Sequence, residues 1–360
     1  MSSSEPVQAT ALDIRPHIQT NIDQFLARQK PILESIGEET IPLWDSVASL
    51  LNGGKRLRPL FCYWGWSAAF GESAHRDGVI TAASSLEFLQ GCALIHDDVM
   101  DGSDTRRGFP AAHRQFASMH RGNQWVGIPD RFGEGSAILA GDLCLSWADQ
   151  LLLEADLPTA NLTAAKSVYN EMRTELMAGQ YLDLLEQARG GGSVERALRV
   201  VRYKSAKYTI ERPLHIGAAL ALAPLEVFSA FTGYGLPLGE AFQLRDDILG
   251  VYGDPEVTGK PAGDDLREGK RTVLIAIATE RATPAQLHSM HEHLGDEHLS
   301  LDGVNNLREI IRDTGALDYT EDLIASLLDQ SLAALNSAPL EATAVSALSD
   351  LAHKAVQRNL

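Results

Sequence analysis

Cysteine is scarce in this chain: Cys62, Cys92 and Cys144 are spread over 360 positions. An odd and dispersed set gives neither a disulfide framework nor a close metal-ligand cluster, so a reducing compartment, the cytoplasm, is expected. Positive charge is also short. Against 48 Asp and Glu stand 31 Lys and Arg, for a formal net charge of −17. A general nucleic-acid binder, or a protein held on anionic lipid by bulk charge, needs the opposite field, so no nucleic-acid partner is expected. No apolar run reaches the ~18 residues of a membrane span. The opening MSSSEPVQAT lacks the basic-then-apolar layout of a secretion signal, so no stable membrane insertion is expected. Alternating runs of β-branched or aromatic residues between hairpin turns are almost missing.

What fills the chain instead is helical pattern. Residues 80–100 (ITAASSLEFLQGCALIHDDVM) contain no proline and repeat apolar side chains at three to four. Stretches 136–154, 160–188, 194–222 and 237–252 read alike, as do 272–280, 304–313 and 321–335. Breaks fall at Asn52-Gly53-Gly54, at 102–110, at 121–135, at the glycines 190–192 and at 253–269. The last is the longest irregular stretch of the carboxyl half, and loops of that length inside compact domains are often lids. The expected architecture is all-α, one helical domain over 1–360 built round a central cavity, with a loose tail over about 1–10.

Two acidic clusters interrupt the helical pattern. In the first, Asp97, Asp98 and Asp101, the outer two stand one turn apart on one helix face. Such neighbours repel by roughly 0.2–0.5 kcal/mol per exposed pair. Either water screens them at a helix end, or a hard divalent cation such as Mg²⁺ binds them and keeps phosphate oxygens among its other ligands. Arg106 and Arg107 follow, and two guanidinium forks suit phosphate, although pairing with Asp101 and Asp104 is the plainer reading. The second cluster, Asp246-Asp247, lies in an apolar stretch one turn after Gln243, and Lys260, Asp264, Asp265 and Lys270 come after it. Lys55 and Arg58 in GGKRLRP share a helix start where free N–H groups favour anions, but the P-loop spacing is absent. Lys204 and Ser205 add a further basic candidate. Carboxylates with Lys and Arg around them can bind a metal-bridged diphosphate and stabilise it as a leaving group.

The ordered motifs GGKRLRP, LIHDDVMD, RRG, GQYLDL, YKSAKYT, FQLRDDILG and GDPEVTGKPAGDDLREGKRT resemble those of the trans-isoprenyl diphosphate synthases, the short-chain polyprenyl synthetase family. The resemblance runs over about residues 40–275. It implies a homodimer that joins isopentenyl diphosphate head to tail to an allylic diphosphate. Lys55, Arg58, Gln90 and Arg107 match the family's isopentenyl diphosphate contacts. Arg106, Lys204, Ser205, Gln243, Lys260 and Lys270 match the allylic site. Asp97 and Asp101 match ligands of two Mg²⁺ ions, with Asp183 supporting them; Asp246 matches the main ligand of a third, with Asp264 through water. Asp98 and Asp247 are grouped with these metal residues. Gly250 departs from the family's DDxxD, which ends in aspartate.

Product length is read from the helix bearing Asp97. Ala93 and Cys92, four and five residues before it, are small, and Phe88 and Leu89 lie one turn further. Each turn is ~5.4 Å, about one isoprene unit, so geranylgeranyl diphosphate (C20) is expected with the Phe88 layer or a partner helix as floor. Farnesyl diphosphate synthesis, a class I terpene cyclase and a non-catalytic partner subunit are the competing readings.

Overall fold

A computed structural model of the chain describes residues 13–71, 73–190, 192–253, 263–296 and 298–357. The amino half holds α1 (Arg15–Ile36), α2 (Ile41–Leu51), α3 (Leu57–Ala68), α4 (Arg76–Asp101), α5 (Ala112–Gly122), α6 (Pro129–Leu153) and α7 (Thr159–Arg189). Next come α8 (Val194–Val200), a π-helix (Val201–Glu211), α9 (Arg212–Leu220) and α10 (Leu225–Tyr252). The carboxyl part holds α11 (Asp264–Arg267), α12 (Val273–Arg281), α13 (Pro284–His293), α14 (Leu301–Asp313), α15 (Ala316–Ser337) and α16 (Ala342–Val356). Among the described residues the only strand pairing is a two-residue antiparallel ribbon, Thr105–Arg106 against Phe109–Pro110. The fold is all-α, as expected.

Helix α4 is the axis of the amino half. It packs on α1, α2, α3, α5, α6 and α9, and a helix enclosed on every side needs small or apolar residues all round. Its run of Ala82, Ala83, Ser84, Ser85 and Leu86 is buried accordingly. Gly102, with φ +67°, ends the helix in the left-handed turn that glycine adopts without steric cost. Helix α10 is the axis of the other half, against the π-helix, α15 and α16. Two helical segments, Ser73–Asp101 and Pro129–Leu153, are long and apolar enough to cross a membrane by length and composition. The first has 78% of its apolar window buried inside the protein and the second 44%. The first is therefore a core helix, whereas the second keeps an uncovered apolar side.

The π-helix is wedged between α7 and α10, and the contact depends on two glycines. A Cβ on Gly179 of α7 would overlap the backbone at Tyr203 and Lys204. One on Gly239 of α10 would come within 2.6 Å of the Ala206 Cα.

The structure redraws several expected boundaries. The 121–135 loop is shorter than expected, because α6 begins at Pro129, a residue well suited to a first helical turn. Gly133 then lies inside α6, where the lack of a side chain lets the helix meet the α5 backbone at His113. The expected helical stretch 237–252 is the second half of a longer helix, since α10 begins at Leu225 and carries Pro237 internally. The stretch 194–222 is three successive segments, with the π-helix in the middle.

Candidate active site

A chamber of about 880 Å³ opens between α4, α7, the π-helix and α10. Along α4 it is lined by Gln90, Ala93, Leu94 and Asp97, which recur at three to four residues on one face. Lys204, Ser205 and Tyr208 face it from the π-helix, and Gln180 and Asp183 from α7. Gln243, Asp246, Asp247 and Gly250 come from α10, and Lys55 and Arg58 from the start of α3. Arg106, Asp264, Asp265 and Lys270 complete the polar wall. Residues from seven separate parts of the sequence thus converge on one cavity, of the size usual for a small-molecule site.

At the acidic end, Lys204 Nζ lies 3.1 Å from Asp97 Oδ1 and 2.6 Å from Asp183 Oδ2. Gln180 Nε2 donates to Asp97 Oδ1 at 2.9 Å. Burial opposes ionisation of Asp97, but Lys204, Lys270 and Arg106 outweigh it and hold the carboxyl below its usual range. Burial likewise opposes the charge on Lys204, and Asp97 and Asp183 more than reverse that. Asp101 is different. Its side chain is only 2% exposed and Lys270 Nζ is 3.6 Å away, yet neither carboxylate oxygen has a hydrogen-bond partner. Burial first, and Asp97 second, push it up to about 6. In the second motif, Gln243 Nε2 donates to Asp247 Oδ1 at 2.8 Å, and burial pushes Asp247 up to about 8.

Two turns down α4 lies a second polar group. Arg58 Nη2 donates to Thr209 Oγ1 at 2.9 Å, and its guanidinium stacks 4.2 Å from the Tyr208 ring centre. The Tyr208 hydroxyl donates to Gln90 Oε1 at 2.9 Å. Seven residues of α-helix separate Gln90 from Asp97, ~10 Å. Two anion-receptive clusters thus share one cavity, with Ala93, Leu94, Leu176 and Phe242 among its apolar lining.

Some expected site residues lie elsewhere. Asp98 is buried and ion-paired with Arg106, so it orients that arginine and does not line the chamber. Arg107 donates to the Leu50 carbonyl at 2.9 Å, beside Gly54. Of the four product-length residues only Ala93 reaches the cavity. Leu89 and Cys92 are fully buried in the core. Phe88, expected as the floor, packs edge-on to Phe25 at 5.0 Å and Trp147 at 6.4 Å, on the side of α4 that meets α1 and α6. Lys260 and most of the 253–269 loop lie outside the described residues. The sequence reading did not single out Gln180, Tyr208 or Thr209. Gln180 sits three residues before Asp183 within GQYLDL, and the other two lie within YKSAKYT, so helical spacing was the available signal.

The family model described as Polyprenyl synthetase matches residues 43–311. The chain belongs to the polyprenyl synthetase family. Relatives in the family match 80–97% of this chain. A solved geranylgeranyl pyrophosphate synthase from Corynebacterium glutamicum, complexed with isoprenyl diphosphate and magnesium, shares 40% identity with a TM-score of 0.92. That match covers 97% of this chain and 100% of the other. Geranylfarnesyl diphosphate synthase of Aeropyrum pernix is 34% identical over 80% of this chain and 84% of its own. (2E,6E)-farnesyl diphosphate synthase of Mycobacterium tuberculosis is 31% identical over 85% and 80%. This polyprenyl synthetase is a trans-prenyltransferase.

Among the described residues no three His, Cys, Asp or Glu side chains form a ready-made metal cage. Mg²⁺ does not require one, since it is held by one or two carboxylates together with water and substrate phosphates. The unpartnered, buried oxygens of Asp101 beside Asp97 fit such a cation.

Proposed function

We propose that this synthetase condenses isopentenyl diphosphate with dimethylallyl, geranyl or farnesyl diphosphate and releases geranylgeranyl diphosphate. The observation that carries the reading is the pairing of two anion-receptive clusters in one cavity. Asp97, Lys204 and Arg106 form one, and Lys55, Arg58 and Gln90 the other. A cyclase handling a single diphosphate has no use for the second cluster. A non-catalytic subunit has no use for an intact first one.

In this reading the allylic diphosphate lies against Lys204, Arg106 and Lys270, with Gln243 and Ser205 beside it. Lys260 is assigned there from its motif. Magnesium, for which we propose three ions on Asp97, Asp101 and Asp246, neutralises charge on the diphosphate oxygens when bound. Asp183 holds Lys204 and Asp98 holds Arg106, so these positive groups are fixed before substrate arrives, and Gln243 holds the Asp247 carboxyl. The allylic C–O bond breaks and the isopentenyl double bond attacks the resulting cation. One proton then leaves to the departing diphosphate, since no side-chain base is assigned to it. Ala93, Leu94, Leu176 and Phe242 give that cation a dry wall.

The small Ala93 on the chamber wall supports a C20 product, as does the name of the 40%-identical Corynebacterium relative. The geranylfarnesyl and farnesyl synthases among the relatives bracket that length on either side. We also propose a cytoplasmic homodimer. The three cysteines are free and buried, as a reducing compartment allows, and α6 carries an uncovered apolar face. The test is chromatography of products from labelled isopentenyl diphosphate with each primer. Geranylgeranyl diphosphate is expected from all three, and Ala93→Phe is expected to shift the product to farnesyl diphosphate. Asp97→Ala and Asp246→Ala should each abolish most turnover with helix content unchanged. Wild-type turnover in both would refute the assignment of the acidic motifs.

A further inference from the structure

The motif YKSAKYT carries two lysines three residues apart, and only Lys204 reaches the chamber. On an α-helix, residues three apart share a face, so a regular turn would bring both ammonium groups to the same side. This stretch is a π-helix instead. Its i→i+5 hydrogen bonds put more residues into each turn than the α-helix holds. Lys207 is thereby carried off the chamber wall and lies against Glu175 of α7, Nζ to Oε1 at 3.0 Å.

One ridge of α7 meets this segment step by step. Glu171, Glu175, Gly179 and Asp183 follow one another at intervals of four. Asp183 Oδ2 takes Lys204 Nζ at 2.6 Å, and the backbone at Tyr203 and Lys204 fills the place of a side chain on Gly179. Glu175 accepts from Arg212 as well as pairing with Lys207. Arg212 Nε lies 2.7 Å from its Oε2 and Nη2 lies 2.8 Å from its Oε1. Glu171 Oε1 accepts from the same Nη2 at 2.5 Å. As the numbers fall along α7 they rise along the opposing segment, so each contact fixes the alignment of the next. Exposed ion pairs contribute little, but Lys207 and Glu175 are each only 16% exposed. Burial opposes ionisation of Glu175, and Arg212 and Lys207 outweigh it and hold the carboxyl below its usual range. A slip of the π-helix back to α spacing would part Lys207 from Glu175 and strand buried charge.

We propose that Glu175 and Lys207 form a register lock, which holds the π turn that presents Lys204, and not Lys207, to the chamber. Both are positioning residues that act through Lys204 from outside the cavity. The effect on catalysis rests on the reading given above, in which Lys204 meets the allylic diphosphate.

The lock is tested by removing its cation and then replacing it. Lys207→Met should raise the KM for the allylic diphosphate about tenfold by misplacing Lys204, and leave the KM for isopentenyl diphosphate nearly unchanged. Lys207→Arg, which keeps a cation in place, should behave nearly as the wild type. Glu175→Gln should reproduce the effect of Lys207→Met, and the double variant should add little to it, because the two substitutions break one contact. Arg202→Met is the control. It breaks an ion pair between the same π-helix and Glu240 of α10, and both KM values should stay as they were. Equal rises in the two KM values of Lys207→Met, or a matching rise in Arg202→Met, would show a general loosening and overturn the lock. A crystal structure of Lys207→Met reads the register directly. Separation of Lys204 from Asp183 is expected there, and an unmoved Lys204 would also overturn the lock. Lys204→Ala is assayed alongside. If it leaves the allylic KM unchanged, the diphosphate reading of Lys204 fails and the crystal structure alone decides the lock. If it raises that KM while Lys207→Met and Glu175→Gln do not, only the lock fails.

Discussion

Arg56 does not line the chamber, yet it decides where two of the chamber's bases point. It stands between Lys55 and Leu57 with φ +53°, a conformation disfavoured for a residue with a side chain. Its guanidinium is buried against Glu87 of α4, Gln19 of α1 and the Leu51 carbonyl. Removing one member of a buried ion pair costs about 3–5 kcal/mol, because the other charge is left without compensation. Arg56→Ala should therefore lower thermal stability. Arg56→Lys, which keeps the charge but loses the fork, should raise the KM for isopentenyl diphosphate roughly tenfold, worth about 1.4 kcal/mol. The KM for the allylic substrate should move little; equal rises in both would mean a general loss of structure. The acidic residues predict a pH dependence. Burial and Asp97 raise Asp101 to about 6, and burial raises Asp247 to about 8, from 3.8 in each case. Between the unfolded and folded values the native chain keeps protons that the unfolded chain has released. Stability of the metal-free protein therefore falls as pH rises, through about 4 to 6 for Asp101 and about 4 to 8 for Asp247. Melting temperatures should fall over that range, and Asp247→Asn should flatten the part above pH 6. At this scale Asp97, Lys204 and Asp246 were readable because each belongs to a long motif. The inward turn of Asp98 onto Arg106 was not, since adjacent aspartates look alike in sequence and point apart only once a helix is packed. Phe88 misled for the same reason: helical spacing gives a residue's height on α4, but the neighbours on each side choose its face.

Among the elements, the π-helix carries the most chemistry in the shortest length. Lys204, Ser205, Tyr208 and Thr209 all lie on it, and π-turns recur at functional sites. A wider helical turn needs close neighbours with little bulk, which Gly179 and Gly239 provide. Gly239→Ala must push the Ala206 backbone aside. It is expected to cost about 1–3 kcal/mol by overpacking and to cut turnover more than that loss of stability explains, because Lys204 would leave Asp97 and Asp183. Denaturant melts and kinetics at saturating substrate measure the two effects separately, and a neutral result in both would remove the packing argument. Helical periodicity identified most of the long helices, α7 to within a residue at each end, while α4 begins four residues before the expected stretch. It did not distinguish the π-segment, since a local change of hydrogen-bond register leaves the apolar pattern nearly unaltered. It also did not single out α1, which lies outside the acidic and basic motifs and is known by its packing on α4.

For the whole molecule, the outer side of α6 is the feature that calls for a partner. Ile138 and Leu139 are 45% and 57% exposed, and Trp125 and Ile128 of the preceding loop add to the same apolar stretch of chain. Exposed large apolar side chains grouped along one segment are candidates for an interaction site. If α6 pairs with its copy, Leu139→Lys should halve the solution mass measured by light scattering while keeping the helical circular dichroism. An unchanged dimer would move the interface elsewhere. The global arrangement was the least readable part of the sequence, because the meeting of α4 with the π-helix joins Asp97 to Lys204 over more than a hundred residues of chain. Lys204 and Lys270 already occupy the ground between the carboxylates. A bare metal ion arriving alone would have to evict resident ammonium groups and leave them stranded, whereas one that arrives with its pyrophosphate brings an anion to receive them. If these carboxylates take a metal, its loading would then be an exchange of partners, the ammonium groups passing from carboxylate to diphosphate oxygens as the metal takes their place.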